Sequence, residues 1–219
     1  VLIIDSLINS RKNTINRIYD ILNNSKSLKK GKLIFREGDL RDKHFLENLF
    51  KEFNSNSNDI NSVIHFAGLK SIEESIINPI DYWDVNVKGT INLLKVMKEN
   101  NCHKLLFSSS ATVYKSNGNK KLTELDLLKP VNAYGNTKFT IERILNDLCE
   151  SEKNIWKIMS LRYFNPVGAH YSGLIGEDPK ANPTNLFPII NKVLKGELTN
   201  LKVYGNNWPT KDGTCVRDY

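Results

Sequence analysis

Short apolar runs alternate along the chain with stretches in which apolar residues recur every three or four positions. The first pattern is typical of buried β-strands and the second of helices packed on one face. Strands are predicted at 1–4, at 32–40 together with its turn, and at 62–68, 104–107 and 156–164. Helices are predicted at 15–22, 45–53, 80–100 and 134–148. Strands that alternate with helices predict an α/β fold with a doubly wound parallel sheet.

The rhythm changes after residue 165. Turn-forming residues occupy 176–179 and 182–183, followed by a predicted short helix at 186–194 and a short strand at 201–204. We therefore predict two domains, a nucleotide-binding domain over 1–165 and the start of a smaller substrate-binding domain over 166–219. The chain begins without Met inside an apolar run and ends without a closing element, so we expect a fragment of a longer protein.

Tyr134 and Lys138 are four residues apart, which places them side by side on one helix face. Ile141 and Leu145 continue that face, so the amine occupies a position where helices normally bury apolar atoms. A buried cation is costly unless it is used, and one use is to favour the phenolate of a neighbouring tyrosine as a general base. The alternative is an exposed Tyr–Lys pair on an ordinary helix. Ser110 ends a predicted buried strand, and because ligands bind at the carboxyl ends of parallel strands, we expect Ser110, Tyr134 and Lys138 to converge.

Five other residues are candidates for ligand binding or for a structural role. Asp5 ends the first strand, where it either accepts hydrogen bonds from a dinucleotide's ribose or forms a turn. Asp39 faces an adenine or caps the next helix, and Asn86 reaches a cofactor or bonds to the backbone. Gly68 permits close approach of a ligand to the backbone. His65 is expected to be a core histidine with a hydrogen-bond partner.

Composition and charge indicate which partners and which cellular location to expect. The 219 residues include no run of eighteen apolar residues, and the three cysteines have no metal-site spacing. The formal charge is +7, but charges of both signs are interspersed. We therefore expect no membrane partner, no nucleic-acid partner and a reducing, cytoplasmic location.

A serine on a strand, a Tyr-x-x-x-Lys helix and an acidic ribose reader together predict nicotinamide-dependent hydride chemistry. The phenol removes a hydroxyl proton while hydride leaves the same carbon. The amine lowers the pKa of the phenol and holds the cofactor, and the serine bonds to the reacting oxygen.

Several stretches carry a family resemblance. They are Val63–Lys70, Phe107–Tyr114, Tyr134–Lys138, Leu161–His170, Gly176–Pro179 and Asp212–Tyr219. On these stretches the sequence resembles the UDP-glucose 4-epimerase family of extended short-chain dehydrogenases/reductases along its whole length. Tyr-x-x-x-Lys is common to the superfamily, whereas Asn165–His170 and Gly176–Pro179 are far more specific.

The resemblance implies a Rossmann-type fold that lacks its first strand and glycine-rich turn. It implies NAD as cofactor and interconversion of UDP-glucose and UDP-galactose through a transient 4-keto sugar, by a homodimer when full length. Tyr134 would be the base, Lys138 its tuner, and Ser110 the partner of the sugar hydroxyl. NAD contacts are implied at Asp5, Asn9, Ser10, Asp39, Leu40, Phe66, Ala67, Gly68, Leu69, Lys70, Asn86, Tyr134, Lys138 and Phe164. Contacts to the UDP-sugar are implied at Ser110, Asn165, Asn185, Leu186, Tyr204 and Arg217.

Two other functions are compatible with the sequence. One is another nucleotide-sugar enzyme of the superfamily, such as a UDP-hexuronate epimerase or a 4,6-dehydratase. Dehydratases usually carry an Asp-Glu pair after the catalytic hydroxyl residue, whereas Ala111 and Thr112 follow Ser110 here. The other is a non-catalytic nucleotide-sensing module, which would often lack the Tyr or the Lys. Without the glycine-rich turn, the 219-residue chain alone is expected to bind NAD poorly and to turn over little or nothing.

Overall fold

The computed structural model describes residues 1–24, 31–55, 59–115, 121–180 and 183–219. In chain order the elements are β1 Leu2–Asp5, α1 Asn13–Asn24, β2 Ile34–Glu37, α2 Lys43–Asn54, β3 Val63–His65, α3 Ile72–Ile77, α4 Pro79–Tyr82, α5 Gly89–Glu99, β4 Lys104–Ser110, α6 Ala133–Ser151, β5 Lys157–Tyr163 and α7 Leu186–Leu194. A π-helical segment, Trp83–Lys88, joins α4 to α5, and a single 3₁₀ turn, Ala111–Val113, follows β4. The chain forms two compact units, one of residues 1–37 with 165–219 and one of residues 38–164.

The unit of residues 38–164 contains a three-stranded parallel sheet in the order β3-β4-β5. Helices α2, α5 and α6 bury their apolar faces in its core. The core side chains include Leu46, Leu49, Phe50, Leu93, Val96, Met97, Leu105, Phe107, Ile141 and Leu145. At the carboxyl end of the sheet Ser110 on β4 lies opposite Tyr163 on β5. The candidate catalytic side chains of this unit lie at this edge.

The other unit pairs β1 with β2 in parallel, with Leu2 opposite Ile34 and Asp5 opposite Glu37. Helix α7 has the bounds that the sequence predicts. The predicted strand at 201–204 is wrong, because the structure gives Leu201–Tyr204 no strand pairing. Leu201, Val203 and Tyr204 are all exposed, so their short alternation has no sheet to join.

Every strand pair described in the two units is parallel, which confirms the α/β class. The domain division at residue 165 stays a prediction. The helix predicted over 80–100 forms as α4, the π-helical segment and α5. Within the described ranges, no helix combines the length and apolarity needed to cross a membrane. In the same ranges no cluster of three or more His, Cys, Asp or Glu residues could hold a metal ion.

Candidate active site

Helix α6 presents Tyr134 and Lys138 on its buried face, as their spacing predicts. The helix begins after Asn132, whose side-chain oxygen accepts a hydrogen bond of 2.8 Å from the backbone N–H of Gly135 and so caps the first turn. Only 4 % of Lys138 and 9 % of Tyr134 is exposed. The interpretation as an ordinary exposed Tyr–Lys pair is therefore wrong.

Lys138 reaches the carboxyl end of β4. Its Nζ donates a 2.9 Å hydrogen bond to the carbonyl oxygen of Ser108. The same Nζ lies 5.0 Å from the ring centroid of Phe107 and 5.9 Å from that of Tyr134. Burial lowers the pKa of Lys138 to about 8, because leaving water penalises the charged form. Lys138 is thus a buried amine that can gain or lose a proton near neutral pH.

Tyr134 experiences two opposing effects. Burial raises the pKa of its phenol, and a smaller opposite effect comes from a hydrogen bond with Ser110. The expectation that Lys138 lowers the pKa of Tyr134 does not hold for the chain by itself, where the net shift is upward. The physical reason is that the ammonium is directed at the Ser108 carbonyl rather than at the phenol, so desolvation dominates. The ring also packs edge-on against Tyr82, with centroids 6.4 Å apart.

Ser110 is oriented by its own turn. Its Oγ accepts hydrogen bonds from the backbone N–H of Thr112 at 3.2 Å and from the Thr112 hydroxyl at 3.0 Å. Because both of those bonds are accepted, the hydroxyl hydrogen of Ser110 remains to be donated. Donation to Tyr134 accounts for the direction in which Ser110 shifts the pKa of the phenol.

Asn86 joins the loop after β3 to helix α6. The amide is 2 % exposed and lies in the π-helical segment, a local geometry often found at functional positions. Its Oδ1 accepts from the backbone N–H of Leu69 at 2.8 Å, and its Nδ2 donates to the Leu69 carbonyl at 3.0 Å. Nδ2 also lies 3.1 Å from the Thr137 hydroxyl. Asn86 therefore bonds to the backbone of the loop that carries the predicted cofactor contacts.

Gly68 shows that this loop suits a close-fitting ligand. Its φ is +150°, and a Cβ added there would lie 2.8 Å from Asn86 Oδ1 and 3.8 Å from Lys138 Nζ. The backbone of Gly68 thus lies so close to the buried Asn86 amide that no side chain fits between them, and Lys138 Nζ lies next to the same point. Phe66 and Ala67 next to it are exposed, and Phe66 stacks at a tilt on Tyr163 with centroids 6.4 Å apart.

His65, at the end of β3, is a core histidine as predicted. Its Nε2 is 2.8 Å from the Thr90 hydroxyl, and its ring lies 5.6 Å from that of Phe107. Burial, together with the charge of Lys138, lowers the pKa of His65 to about 3. The imidazole is therefore neutral at physiological pH.

Asp39 is not the helix cap. Asp42 caps α2 instead, accepting from the N–H of Phe45 at 2.9 Å. Asp39 pairs with Arg41, whose Nη2 lies 2.8 Å from Asp39 Oδ2, and Arg41 also reaches Asp84 at 3.1 Å. The hydrogen bond from Arg41 is the largest of the causes that lower the pKa of Asp39. Leu40 follows, with its carbonyl accepting from Asn92 at 3.2 Å.

In the unit of residues 1–37 and 165–219, Asp5 organises the turn after β1. Its Oδ1 accepts from the N–H of Leu7 at 2.7 Å and from the Ser10 hydroxyl at 2.8 Å. The carbonyl of the exposed Asn9 accepts from the N–H of Lys180 at 3.4 Å. Asp5 and Ser10 are therefore brought together by turn contacts, and the ribose role of Asp5 stays a prediction.

The residues implied for UDP are not drawn into one cluster. Asn165 donates to the carbonyl of Asp218 at 2.7 Å, and Asn185 bonds to Glu177. Arg217 is exposed, as are Leu186 and Tyr204, the latter at 83 %. No bond joins any two of these five residues in the part of the chain that the structure describes.

Sequence reasoning missed a charged network behind the site. Arg162 on β5 and Ser109 on β4 are register partners, and both bond to Glu142 of α6, at 2.8 Å and 2.5 Å. Arg162 also lies over the Tyr114 ring, 4.9 Å from its centroid, and donates to the Tyr114 hydroxyl at 2.9 Å. Tyr114 in turn stacks on the half-exposed Phe164 at 6.4 Å. The available signal was Glu142, which follows Lys138 by four residues and so falls on the same helix face.

One cavity of about 490 Å³ lies between α6 and β5 and is lined by residues such as Phe139, Arg143, Cys149 and Ile158. It includes none of the predicted site residues, so we place no chemistry in it. The candidate site is instead the carboxyl edge of the sheet.

One family model and several relatives of known name match this chain. A family model described as GDP-mannose 4,6 dehydratase matches residues 3–219. A bifunctional UDP-glucose 4-epimerase and UDP-xylose 4-epimerase of Pisum sativum is 46 % identical over 219 residues, which are all of this chain and 60 % of the relative. The UDP-glucose 4-epimerase of Bacillus subtilis is 43 % identical, with 100 % of this chain and 61 % of the relative covered.

A solved structure supports the same likeness. The UDP-glucose 4-epimerase of Bifidobacterium longum, in complex with NAD⁺ and UDP, matches with a TM-score of 0.90 and 44 % identity, covering all of this chain and 62 % of that one. The resemblance predicted from the motifs is therefore confirmed. The chain spans about three-fifths of the length of the relatives it matches.

Proposed function

The chain belongs to the family described by the GDP-mannose 4,6 dehydratase model, and on that premise we propose that the protein containing it interconverts UDP-glucose and UDP-galactose with NAD as cofactor. The observation that carries the proposal is the meeting of Tyr134, Lys138 and Ser110 at the carboxyl end of β4. The relatives' names point to the same reaction.

Each of the three side chains has a distinct task. Tyr134 takes the proton from the sugar's 4-hydroxyl and returns one when the alcohol is re-formed. Ser110 donates a hydrogen bond to oxygen at the same place, which stabilises negative charge as the proton moves. Lys138 supplies a buried positive charge, and its pKa of about 8 allows it to be protonated at neutral pH. Bound NAD would supply the hydride acceptor and, once reduced, the hydride donor, so that no net oxidation of the sugar would occur.

The residues proposed to hold NAD form two groups. The loop after β3, with Phe66, Ala67, Gly68, Leu69 and Lys70, would lie along the cofactor together with Asn86, Tyr134, Lys138 and Phe164. The second group is proposed for the adenosine portion and comprises Asp5, Asn9, Ser10, Asp39 and Leu40. The close approach of the Gly68 backbone to Asn86 and Lys138 supports this assignment, because it gathers proposed cofactor contacts from three elements at one loop.

We propose that Asn165, Asn185, Leu186, Tyr204 and Arg217 hold the UDP moiety. Arg217 suits the diphosphate because a guanidinium can donate paired N–H groups to phosphate oxygens. Its Nη1 now bonds to the neighbouring Val216 carbonyl at 2.9 Å, so it would exchange a backbone partner for the ligand. Binding through UDP would leave the sugar free to rotate about its bond to the diphosphate.

A 4,6-dehydratase is the second candidate, since the family model carries that name. Elimination of water needs an additional acid close to the catalytic hydroxyl residue. Thr112 occupies that turn and uses its hydroxyl to bond Ser110, and Ala111 offers no titratable group. The site therefore favours epimerisation.

Incubating the full-length protein with UDP-galactose, followed by separation of the nucleotide sugars, tests the proposal. Formation of UDP-glucose until the two sugars reach equilibrium, without accumulation of reduced cofactor, is the expected result. A 4-keto-6-deoxy sugar would establish the dehydratase instead. Tight binding of UDP-galactose without any product would establish a sensing module.

We also propose a cytoplasmic homodimer. The three cysteines are free, as expected in a reducing compartment. Three isoleucines around α3 and α4, Ile76, Ile77 and Ile80, are at least two-thirds exposed, which suits a covered interface. Light scattering of the full-length protein should give twice the mass of one chain, and the mass of one chain would contradict this.

A further inference from the structure

Thr137 lies between the two catalytic candidates on α6 and is completely buried. Its hydroxyl is 2.7 Å from the carbonyl oxygen of Tyr134, one turn earlier in the helix. The same hydroxyl is 3.1 Å from the amide nitrogen of Asn86. Thr137 thus joins the helix of the catalytic pair to the residue that bonds the loop after β3.

The direction of these bonds follows from counting hydrogens. A hydroxyl has one hydrogen to donate, and the Tyr134 carbonyl can only accept it. The oxygen of Thr137 must therefore accept on the side facing Asn86. Only the NH₂ group of Asn86 can donate there, so Thr137 favours the same amide orientation that the Leu69 backbone requires.

The amide orientation controls the loop. With Nδ2 toward Thr137 and the Leu69 carbonyl, Oδ1 faces the Leu69 N–H, and all three groups have complementary partners. A flipped amide would instead direct Oδ1 at two acceptors, the Leu69 carbonyl and Thr137. The hydroxyl at position 137 therefore adds a third bond to the amide orientation that both backbone bonds to Leu69 need.

The backbone of Asn86 is fixed independently. Its carbonyl accepts from the Thr90 hydroxyl at 2.5 Å, and Thr90 is held by the neutral His65. The side chain of Asn86 could still move with the loop, and the bond to Thr137 ties that side chain to α6. Gly68, adjacent to Leu69, is the residue whose bare backbone lies beside Lys138.

We propose that Thr137 is a positioning residue that anchors the amide of Asn86 to α6 and thereby holds the 66–70 loop in its cofactor-binding form. The proposal rests on the proposed function only in assigning NAD to this loop. Thr137 itself touches neither cofactor nor sugar, so its effect is on retention of NAD rather than on proton transfer.

Three variants of the full-length protein test this. Thr137→Val keeps the shape of the side chain but removes the hydroxyl, whereas Thr137→Ser keeps the hydroxyl. Thr140→Val is the matched control, since Thr140 is a half-buried threonine on the same helix with no hydrogen bond from its hydroxyl in the described ranges. Hydrogen exchange of the Leu69 amide is measured first, then the rate at which NAD is released.

In Thr137→Val we expect exchange at Leu69 to quicken about tenfold and NAD release to quicken about fivefold, as loss of a buried hydrogen bond would produce. Thr137→Ser and Thr140→Val should stay within about twofold of wild type in both measurements. The pH dependence of turnover should be the same in all variants, because the proton-transfer groups are unchanged. If Thr137→Val does not fold, Thr137→Ala replaces it with the same expectations.

Unchanged exchange at Leu69 in the hydroxyl-free variant would overturn the proposal. Faster exchange with unchanged NAD release would also overturn it, because the loop would then be held without positioning the cofactor. A wild-type protein that binds no NAD would remove the proposed function, while the exchange data from the same samples would still decide whether Thr137 holds the loop.

Discussion

The Lys138 ammonium lies 2.9 Å from the carbonyl oxygen of Ser108, and its only hydrogen-bond partner in the described part of the chain is that neutral group. With 4 % of the residue exposed, the cation has lost most of its water, and no carboxylate in the described ranges lies within ion-pair distance. A buried charge compensated in this way lowers the stability of the fold. Burying the Lys138 cation beside Tyr134 therefore lowers the free energy of unfolding.

Replacing this cation should stabilise the protein. Lys138→Met is expected to raise the free energy of unfolding at pH 7 by roughly 1–3 kcal/mol, the scale set by a pKa lowered from 10.5 to about 8. Turnover should be lost at the same time. Denaturant unfolding, followed by tryptophan fluorescence, measures the first effect, and a destabilised Lys138→Met would contradict it.

The same lowered pKa predicts a pH dependence of stability. Between about pH 8 and pH 10.5 the unfolded chain still binds a proton that folded Lys138 has released. Because the unfolded state then holds more protons, the free energy of unfolding should rise with pH across this window. Lys138→Met should lack that rise, and equal slopes in the two proteins would contradict the assignment.

Sequence periodicity placed Tyr134 and Lys138 together because both their spacing and the helix face are local properties. Their approach to Ser110 followed from the general rule for parallel sheets. The direction of the pKa shift at Tyr134 could not be predicted, because it depends on where the ammonium of Lys138 points and on how much water the fold removes. Likewise, the choice of Asp42 rather than Asp39 as the helix cap depends on the pairing of Asp39 with Arg41.

The ion pair of Glu142 and Arg162 also could not be predicted from the sequence. The two residues are twenty positions apart, and only the register of β4 with β5 brings Ser109 to the pair. The side chains of Glu142 and Arg162 are only 10 % and 19 % exposed, so each charge needs the other as its partner. A sequence does not show how exposed a side chain is.

Removing one charge of this pair should be strongly destabilising. Glu142→Gln is expected to lower the free energy of unfolding by roughly 2–4 kcal/mol, because Arg162 is left buried without its counter-charge. Glu99→Gln is the control, since Glu99 pairs with Lys43 on the surface and its loss should cost less than about 1 kcal/mol. Equal losses in the two variants would show that the Glu142 pair has no special role.

Gly68→Ala tests the fit of the loop. The added Cβ would lie 2.8 Å from Asn86 Oδ1, on a backbone whose φ of +150° strains any residue with a side chain. We expect roughly 1–3 kcal/mol lower stability and weakened NAD binding in titrations. Gly31→Ala, where a Cβ meets nothing within 4 Å, should be close to neutral. NAD binding that survives Gly68→Ala unchanged would remove this loop from the cofactor site.

The most direct measurement of the central claim is the turnover of Tyr134→Phe in the full-length protein with its NAD in place. Tyr82→Phe is the matched control, a buried tyrosine packed against Tyr134 whose hydroxyl bonds Glu74 rather than Ser110. The account predicts that Tyr134→Phe loses about a thousandfold in turnover while keeping NAD, as expected when a general base is removed. The control should stay within about fivefold of wild type. A Tyr134→Phe enzyme within tenfold of wild type would contradict the assignment of Tyr134 as the base.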